Sequence, residues 1–177
     1  MKRKGTTIRG RSAKRKGSRA EIKVRNALRT IYPPEKRNNV QRVPLSGAGS
    51  MKGDVFDGND YDSCYEVKCQ ETLVLHDWWR QAKSQAGTAR TPVLVITQAY
   101  RPFYYILHTH DFEEMVGNTE YAGIGEAVVI GNSRNLFDKL AELEPRDTIR
   151  LLLDDDLVDI INESFYLEIK KSLYNNK

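Results

Sequence analysis

The stretch from Gly53 to Gln70 constrains the fold most. It reads as two short strands, Gly53–Asp57 and Ser63–Gln70, joined by a turn at Gly58-Asn59-Asp60. Side chains alternate between the two faces of a strand. Glu66, Lys68 and Gln70 therefore point one way, and Tyr65, Val67 and Cys69 the other. One face offers polar groups while the opposite face packs into the protein. Asp54 opens the preceding strand, so an acid faces an acid and a lysine on the neighbouring strand. Such a set can hold a divalent metal and activate a water beside a phosphate. Taken singly, Asp54 is an ordinary turn carboxylate, and Glu66 with Lys68 an ordinary charge ladder. The combination says more, because a buried Glu–Lys pair is costly without a partner or a task.

The rest of the chain supplies a mixed sheet and its helices. A helix spans about Ser18–Ile31, with Ala20, Val24, Ala27, Leu28 and Ile31 as its apolar stripe. Tyr32-Pro33-Pro34 ends it. Val40–Val43 is a first strand, and 44–52 a loop holding Ser46-Gly47-Ala48-Gly49-Ser50. A short helix, Asp77–Ala86, stops at Gly87. Thr91–Gln98 contains Val93-Leu94-Val95-Ile96, a run of the kind buried on both faces. Phe103–His108 is a fifth strand, Ala122–Gly131 is apolar and broken by glycine, and Thr148–Leu173 reads as helical. In that last segment Leu151, Leu152, Val158, Ile160, Ile161 and Leu167 are the residues expected to be buried. The fold class is α/β, a mixed central sheet flanked by helices. Its divisions are a flexible basic arm (1–17), a core (18–112) and a mainly helical C-terminal extension packed on it (113–177).

Charge distribution matters more than the net of +4. The first nineteen residues carry nine Lys or Arg and no acid. Such a block binds a polyanion, directs localisation, or is a solvated tail. No run of eighteen apolar residues exists to span a bilayer, and no apolar leader segment opens the chain. Cys64 and Cys69 lie in one strand, roughly 16 Å apart at ~3.3 Å per residue, too far for a disulfide. This reads as a cytoplasmic protein without membrane partners, a phage-infected host cell being one setting.

Several residues carry two readings each. Ser18-Arg19-Ala20-Glu21 is a capping box, with Ser18 as N-cap. Glu21 also shares a face with Val24 and Leu28, so it caps the helix, binds a metal, or does both. Gln81 and Gln85 share one face of the short helix and either border the site or are exposed helix polars. Of the adjacent Trp78 and Trp79, one is expected to pack inward and one elsewhere. His108 and His110 alternate near a strand end, yet no Cys lies nearby and His76 is remote, which disfavours zinc.

Together these residues resemble the PD-(D/E)xK nuclease superfamily, and more narrowly archaeal-type Holliday junction resolvases and their phage relatives. The matching pieces are Lys16-Gly17-Ser18-Arg19-Ala20-Glu21, Ser46–Ser50, Gly53-Asp54-Val55, Glu66-Val67-Lys68, and the helix leading to Pro92–Ile96. They cover about residues 16–108. Gln70 departs from many relatives, which have a basic residue near that point. The resemblance implies a restriction-endonuclease-like fold and a homodimer that cuts four-way DNA junctions. Asp54, Glu66 and the Val67 carbonyl would ligate Mg²⁺ (Mn²⁺ substituting), Glu21 would complete the acidic cluster, and Lys68 would orient the attacking water. The expected DNA contacts are Arg3, Arg9, Arg11, Lys14, Arg15, Lys16, Arg42, Ser46, Lys52, Gln81 and Gln85. Alternatives are a restriction- or repair-type nuclease of the superfamily, and a non-catalytic DNA-binding protein on the same fold.

Overall fold

The structure is a computed structural model that describes residues 8–44, 51–70, 72, 74–97, 103–108, 111–112, 114, 128–129, 148–153 and 156–175. Helix α1 (Ile8–Thr30) leads into β1 (Val40–Arg42), β2 (Val55–Asp57) and β3 (Ser63–Cys69). Then come α2 (Leu75–Ala86), β4 (Thr91–Thr97) and β5 (Tyr104–His108). β6 (Val128–Val129), β7 (Thr148–Leu153), β8 (Asp156–Asn162) and helix α3 (Glu163–Asn175) complete the described elements. The strands form one eight-stranded sheet in the order β1-β2-β3-β4-β5-β8-β7-β6. Among the described strands only β3–β4 and β6–β7 pair in parallel. This is the mixed, helix-flanked α/β sheet of a restriction-endonuclease-like fold.

The helices take opposite faces. Tyr65 and Val67 of β3, Val93 and Val95 of β4, and Tyr105 and Leu107 of β5 join Ala20, Val24 and Leu28 of α1 in one buried cluster. Tyr166 and Ile169 of α3 enter the same cluster. Each fully buried Leu or Val there stabilises by about 1.5–3 kcal/mol. The alternate residues of β3, Glu66 and Lys68, lie on the other face, where α2 packs with Trp78, Trp79, Ala82 and Ala86 buried. α2 makes the crossover that a parallel β3–β4 pair requires. Gly87 ends it at φ +66°, a region that glycine enters without steric cost.

The structure corrects four expectations. α1 begins at Ile8, not Ser18, so Ser18 lies inside a helix and caps nothing. Residues 8–17 of the supposed flexible arm are helical, and the described side chains from Ser12 to Lys16 are exposed. Trp78 and Trp79 are both buried, at 6% and 2% exposure, because they flank the single apolar face of α2 that also holds Ala82 and Ala86. Thr148–Leu153 and Asp156–Asn162 are not helical but form the β7–β8 pair, with Leu152 opposite Leu157.

β8 pairs with β5 along its length, from Tyr104↔Asn162 to His108↔Val158. α3 then returns to the core. Tyr166 stacks on Tyr105 at 3.9 Å between ring centroids and shares a 2.9 Å hydrogen bond with the Tyr65 hydroxyl. Lys170, 3% exposed, pairs with Asp60 in the β2–β3 turn and donates to Ser63 Oγ at 3.0 Å. Ser63 in turn donates to Asp60 at 2.7 Å. Nearby, Tyr32 donates to Asp57 at 2.8 Å. These bonds tie α1 and α3 to the turn end of the hairpin whose open end carries the candidate site.

Candidate active site

The site starts from a glycine that no other residue replaces. Gly53 has φ +91°, and a Cβ there would lie 2.9 Å from the Tyr65 carbonyl oxygen. This close approach lets the Asp54 amide donate to that same carbonyl at 2.7 Å. The Asp54 carbonyl accepts from the Val43 amide at 2.9 Å, so the residue is pinned from both neighbouring segments. Its side chain is pinned as well. Asp54 Oδ2 accepts from the Val67 amide at 2.8 Å, at the residue between Glu66 and Lys68. Only glycine both tolerates that φ and leaves room for the carbonyl.

Glu66 is 2% exposed in the middle of β3. Its Oε1 accepts from Lys68 Nζ at 2.7 Å and from Gln81 Nε2 at 2.7 Å. Lys68 also donates to Gln81 Oε1 at 2.9 Å. The Gln81 amide thus satisfies the carboxylate with one end and the ammonium with the other, closing a three-membered network between β3 and α2. Glu66 Oε2 is buried with no hydrogen-bond partner. Burial raises the Glu66 pKa, and the Asp54 charge raises it further; Lys68 offsets only part of this. The site therefore holds more negative charge than its own cation neutralises.

Gln85, one turn along α2, accepts from the Gly53 amide at 3.0 Å. Of the two readings that sequence left open for these glutamines, Gln81 shows both, being exposed and bonded to Glu66 and Lys68, while Gln85 is half-buried on the approach to Asp54. Glu21 stands apart. It forms an ion pair with Arg42 of β1, and Arg42 also donates to Ser18 Oγ at 3.2 Å. The Glu21 charge still raises the Glu66 pKa, as the smallest of the causes. Among the described residues no cluster of three or more metal-ligating side chains is assembled. Asp54 and Glu66 are thus brought together, and Glu21 is held back by Arg42.

The other expected residues fall as follows. Lys14, Arg15 and Lys16 are exposed on α1, and Lys52 is exposed beside Gly53. Arg9 and Arg11 lie within α1. Arg3, Ser46 and His110 lie outside the described residues. Sequence reasoning missed the Arg42–Glu21 pair and the Asp54–Val67 bond. The signal for the first was present: Arg42 ends a strand whose Val40 faces α1, and the sheet period puts Arg42 on that same face.

The donor set fits a hard divalent cation. Two carboxylates converge, one keeps a buried oxygen without a partner, and Mg²⁺-type ions take few protein oxygens and retain waters. An acid at a strand entry, locked by its neighbour strand to an acid-x-lysine segment, on this α/β sheet, defines a nuclease of the PD-(D/E)xK superfamily. The family model described as "Phage putative PDDEXK endonuclease" matches residues 12–142. The chain belongs to that family. No curated protein and no solved structure matches it.

Proposed function

We propose that this nuclease is a Mg²⁺-dependent endonuclease of branched DNA, acting on four-way junctions as a homodimer. The observation that carries the metal dependence is the buried, unpartnered Glu66 Oε2 beside Asp54. Asp54 and Glu66 would hold the cation, with the Val67 carbonyl as a further oxygen. Held there, a divalent cation would supply a Lewis acid for the phosphoryl oxygen and a lower pKa for bound water. Lys68, fixed by Glu66 and Gln81, presents its ammonium to the phosphate, orients the attacking water and offsets charge on the transition state. Gly53 and Gln85 set the position of Asp54. Glu21 joins the acidic group if Arg42 leaves it for the DNA backbone.

The junction is supported by the resemblance of residues 16–108 to the resolvases. Two symmetric cuts require two sites, which a C2 dimer supplies. The test is a cleavage panel of four-way junction, flap, splayed and linear duplex DNA, with and without Mg²⁺ or Mn²⁺. Paired metal-dependent nicks in the junction are expected, with duplex cut far more slowly. Preferential cutting of linear duplex would replace the junction by a restriction- or repair-type substrate. Binding without cutting in any metal would remove the enzyme reading.

A further inference from the structure

The constellation at Asp54, Glu66 and Lys68 leaves one neighbouring feature without a task. A groove of about 460 Å³ runs along α2, lined by Lys52, Asp77, Arg80, Gln81, Ser84 and Gln85. Every lining side chain is polar or charged. The volume lies within the roughly 300–1,000 Å³ of ordinary ligand sites, but those are mostly apolar. The polar ends of these side chains, two of them cationic, suit a strand of phosphates. The groove also adjoins the reacting centre through single side chains. Gln81 holds Glu66 and Lys68, and Gln85 holds the amide ahead of Asp54. An occupant of the groove is one side chain away from the cut.

Its charges are unequal in number and arranged for exchange. Lys52 stands on the loop wall and Arg80 on the helix wall, against the single acid Asp77. Arg80 and Asp77 form an ion pair one turn apart on α2, with side chains 67% and 61% exposed. A pair so exposed contributes only about 0–1 kcal/mol. It holds the guanidinium over the groove at little cost and yields it easily. A phosphate competes well for it, because guanidinium and phosphate pair through two parallel hydrogen bonds.

We infer that the groove is a subsite for a backbone phosphate flanking the scissile one, with Lys52 and Arg80 as its cations and Asp77 as an internal competitor. The inference rests on the nuclease reading and deepens it. On binding, the phosphate takes Arg80 from Asp77, and Ser84 offers a further hydroxyl within the groove.

The test uses the full chain in the Asp54→Asn background, so that DNA is bound and not cut, with a fluorescent four-way junction and anisotropy across a salt series. Arg80→Gln and Lys52→Gln are each expected to weaken binding and flatten the slope of log K against log salt by about 0.9. Asp77→Asn is expected to tighten binding, and that gain is expected to vanish when Arg80→Gln is also present. A junction with one neutral methylphosphonate linkage, moved stepwise from the cut site, should bind the parent more weakly at one flanking position. At that position Arg80→Gln should add no further loss. All three side chains are at the surface, so the variants fold. An unchanged slope in Arg80→Gln, or an Asp77→Asn gain that survives without Arg80, overturns the subsite. If the wild type cuts DNA in metal while these variants bind like their parent, only the subsite fails. If the wild type neither binds nor cuts, the nuclease reading fails with it.

Discussion

Replacing Lys170 by Met tests how the last helix is welded to the hairpin that bears the site. Met keeps most of the apolar stem and removes the ammonium. In the folded protein that ammonium pairs with Asp60, both side chains being under a tenth exposed. It also lies 5.8–6.0 Å from the ring centres of Tyr65, Tyr166 and Tyr174. Without it Asp60 is a buried anion left with weaker donors such as Ser63. Breaking a buried pair from one side costs about 3–5 kcal/mol. That is a large share of the roughly 5–15 kcal/mol that stabilises a typical domain. Urea unfolding followed by far-UV circular dichroism should show a lower midpoint at unchanged m. Asp60→Asn combined with Lys170→Met should lose less than Lys170→Met alone, since no charge is then unpaired. The acid limb gives an independent check. Burial pushes the Asp60 carboxyl up, but the Lys170 ion pair and hydrogen bond outweigh it and hold its pKa below the usual value. Its contribution is therefore present above the unfolded pKa of about 3.9 and lost as pH falls through the lower folded value. Asp60→Asn should flatten stability against pH below about 4. Asp57, raised by burial and to a lesser degree by the Asp60 charge, acts with the opposite sign, and Asp60→Asn removes only that lesser part. A Lys170→Met protein within about 0.5 kcal/mol of wild type, the range of ordinary surface changes, would refute this reasoning.

Asp54→Asn and Glu66→Gln are each expected to abolish cleavage while junction binding in Ca²⁺ stays near wild type; wild-type rates in either would remove the proposed site. Lys68→Ala should lower single-turnover cleavage much more than affinity, and Lys68→Arg should rescue only in part, because a planar guanidinium does not replace a compact ammonium. Gly53→Ala brings a Cβ to 2.9 Å from a backbone oxygen at φ +91°. The φ alone costs about 1–2 kcal/mol, so a lower melting temperature and a cleavage defect are both expected, and a variant as stable and active as wild type would count against the cradle. Deleting residues 2–16 should flatten the salt dependence of junction affinity by roughly 3–4 units if about four cations engage phosphates, while cleavage at saturating protein survives. An unchanged slope would show that the arm does not touch DNA.

The hairpin and its charges were readable because a strand's period of two leaves little freedom. Once Ser63–Cys69 is a strand, Glu66 and Lys68 must share a face, and the apolar run at Val93–Ile96 must be buried on both. Partners across the sheet were not readable. The strand period places Arg42 on the face toward α1 but does not pick Glu21 as its partner, and nothing local in Lys170 says that it meets Asp60. The β7–β8 segment misled for a different reason. Leu151, Leu152, Val158, Ile160 and Ile161 satisfy helical spacing about as well as alternation. The Asp154-Asp155-Asp156 cluster between two runs rich in Ile, Val and Leu was the usable hairpin signal.

The start of α1 failed most instructively, because its charges argued against a helix there. Its first turn holds no acid, and cations are unfavourable at the positive end of a helix dipole. Arg15, Arg19 and Lys23, all exposed, follow one another at i, i+4. Each such like-charge pair opposes the helix by about 0.2–0.5 kcal/mol. What overrides this is extension from a nucleus already fixed. Ala20, Val24 and Leu28 are held against the sheet, and each added residue then gains a hydrogen bond without a new nucleation cost. The opposing terms are small and local, whereas burial of the stripe is large, so the helix extends back from Arg19 to Ile8, about 16 Å at ~1.5 Å per residue. The result is a row of cations at a helical spacing of about 6 Å, whose mutual repulsion a row of phosphates would relieve. The residues that weaken this helix in isolation are those that a polyanion would stabilise, so binding one would offset the local terms that made the segment read as a flexible arm.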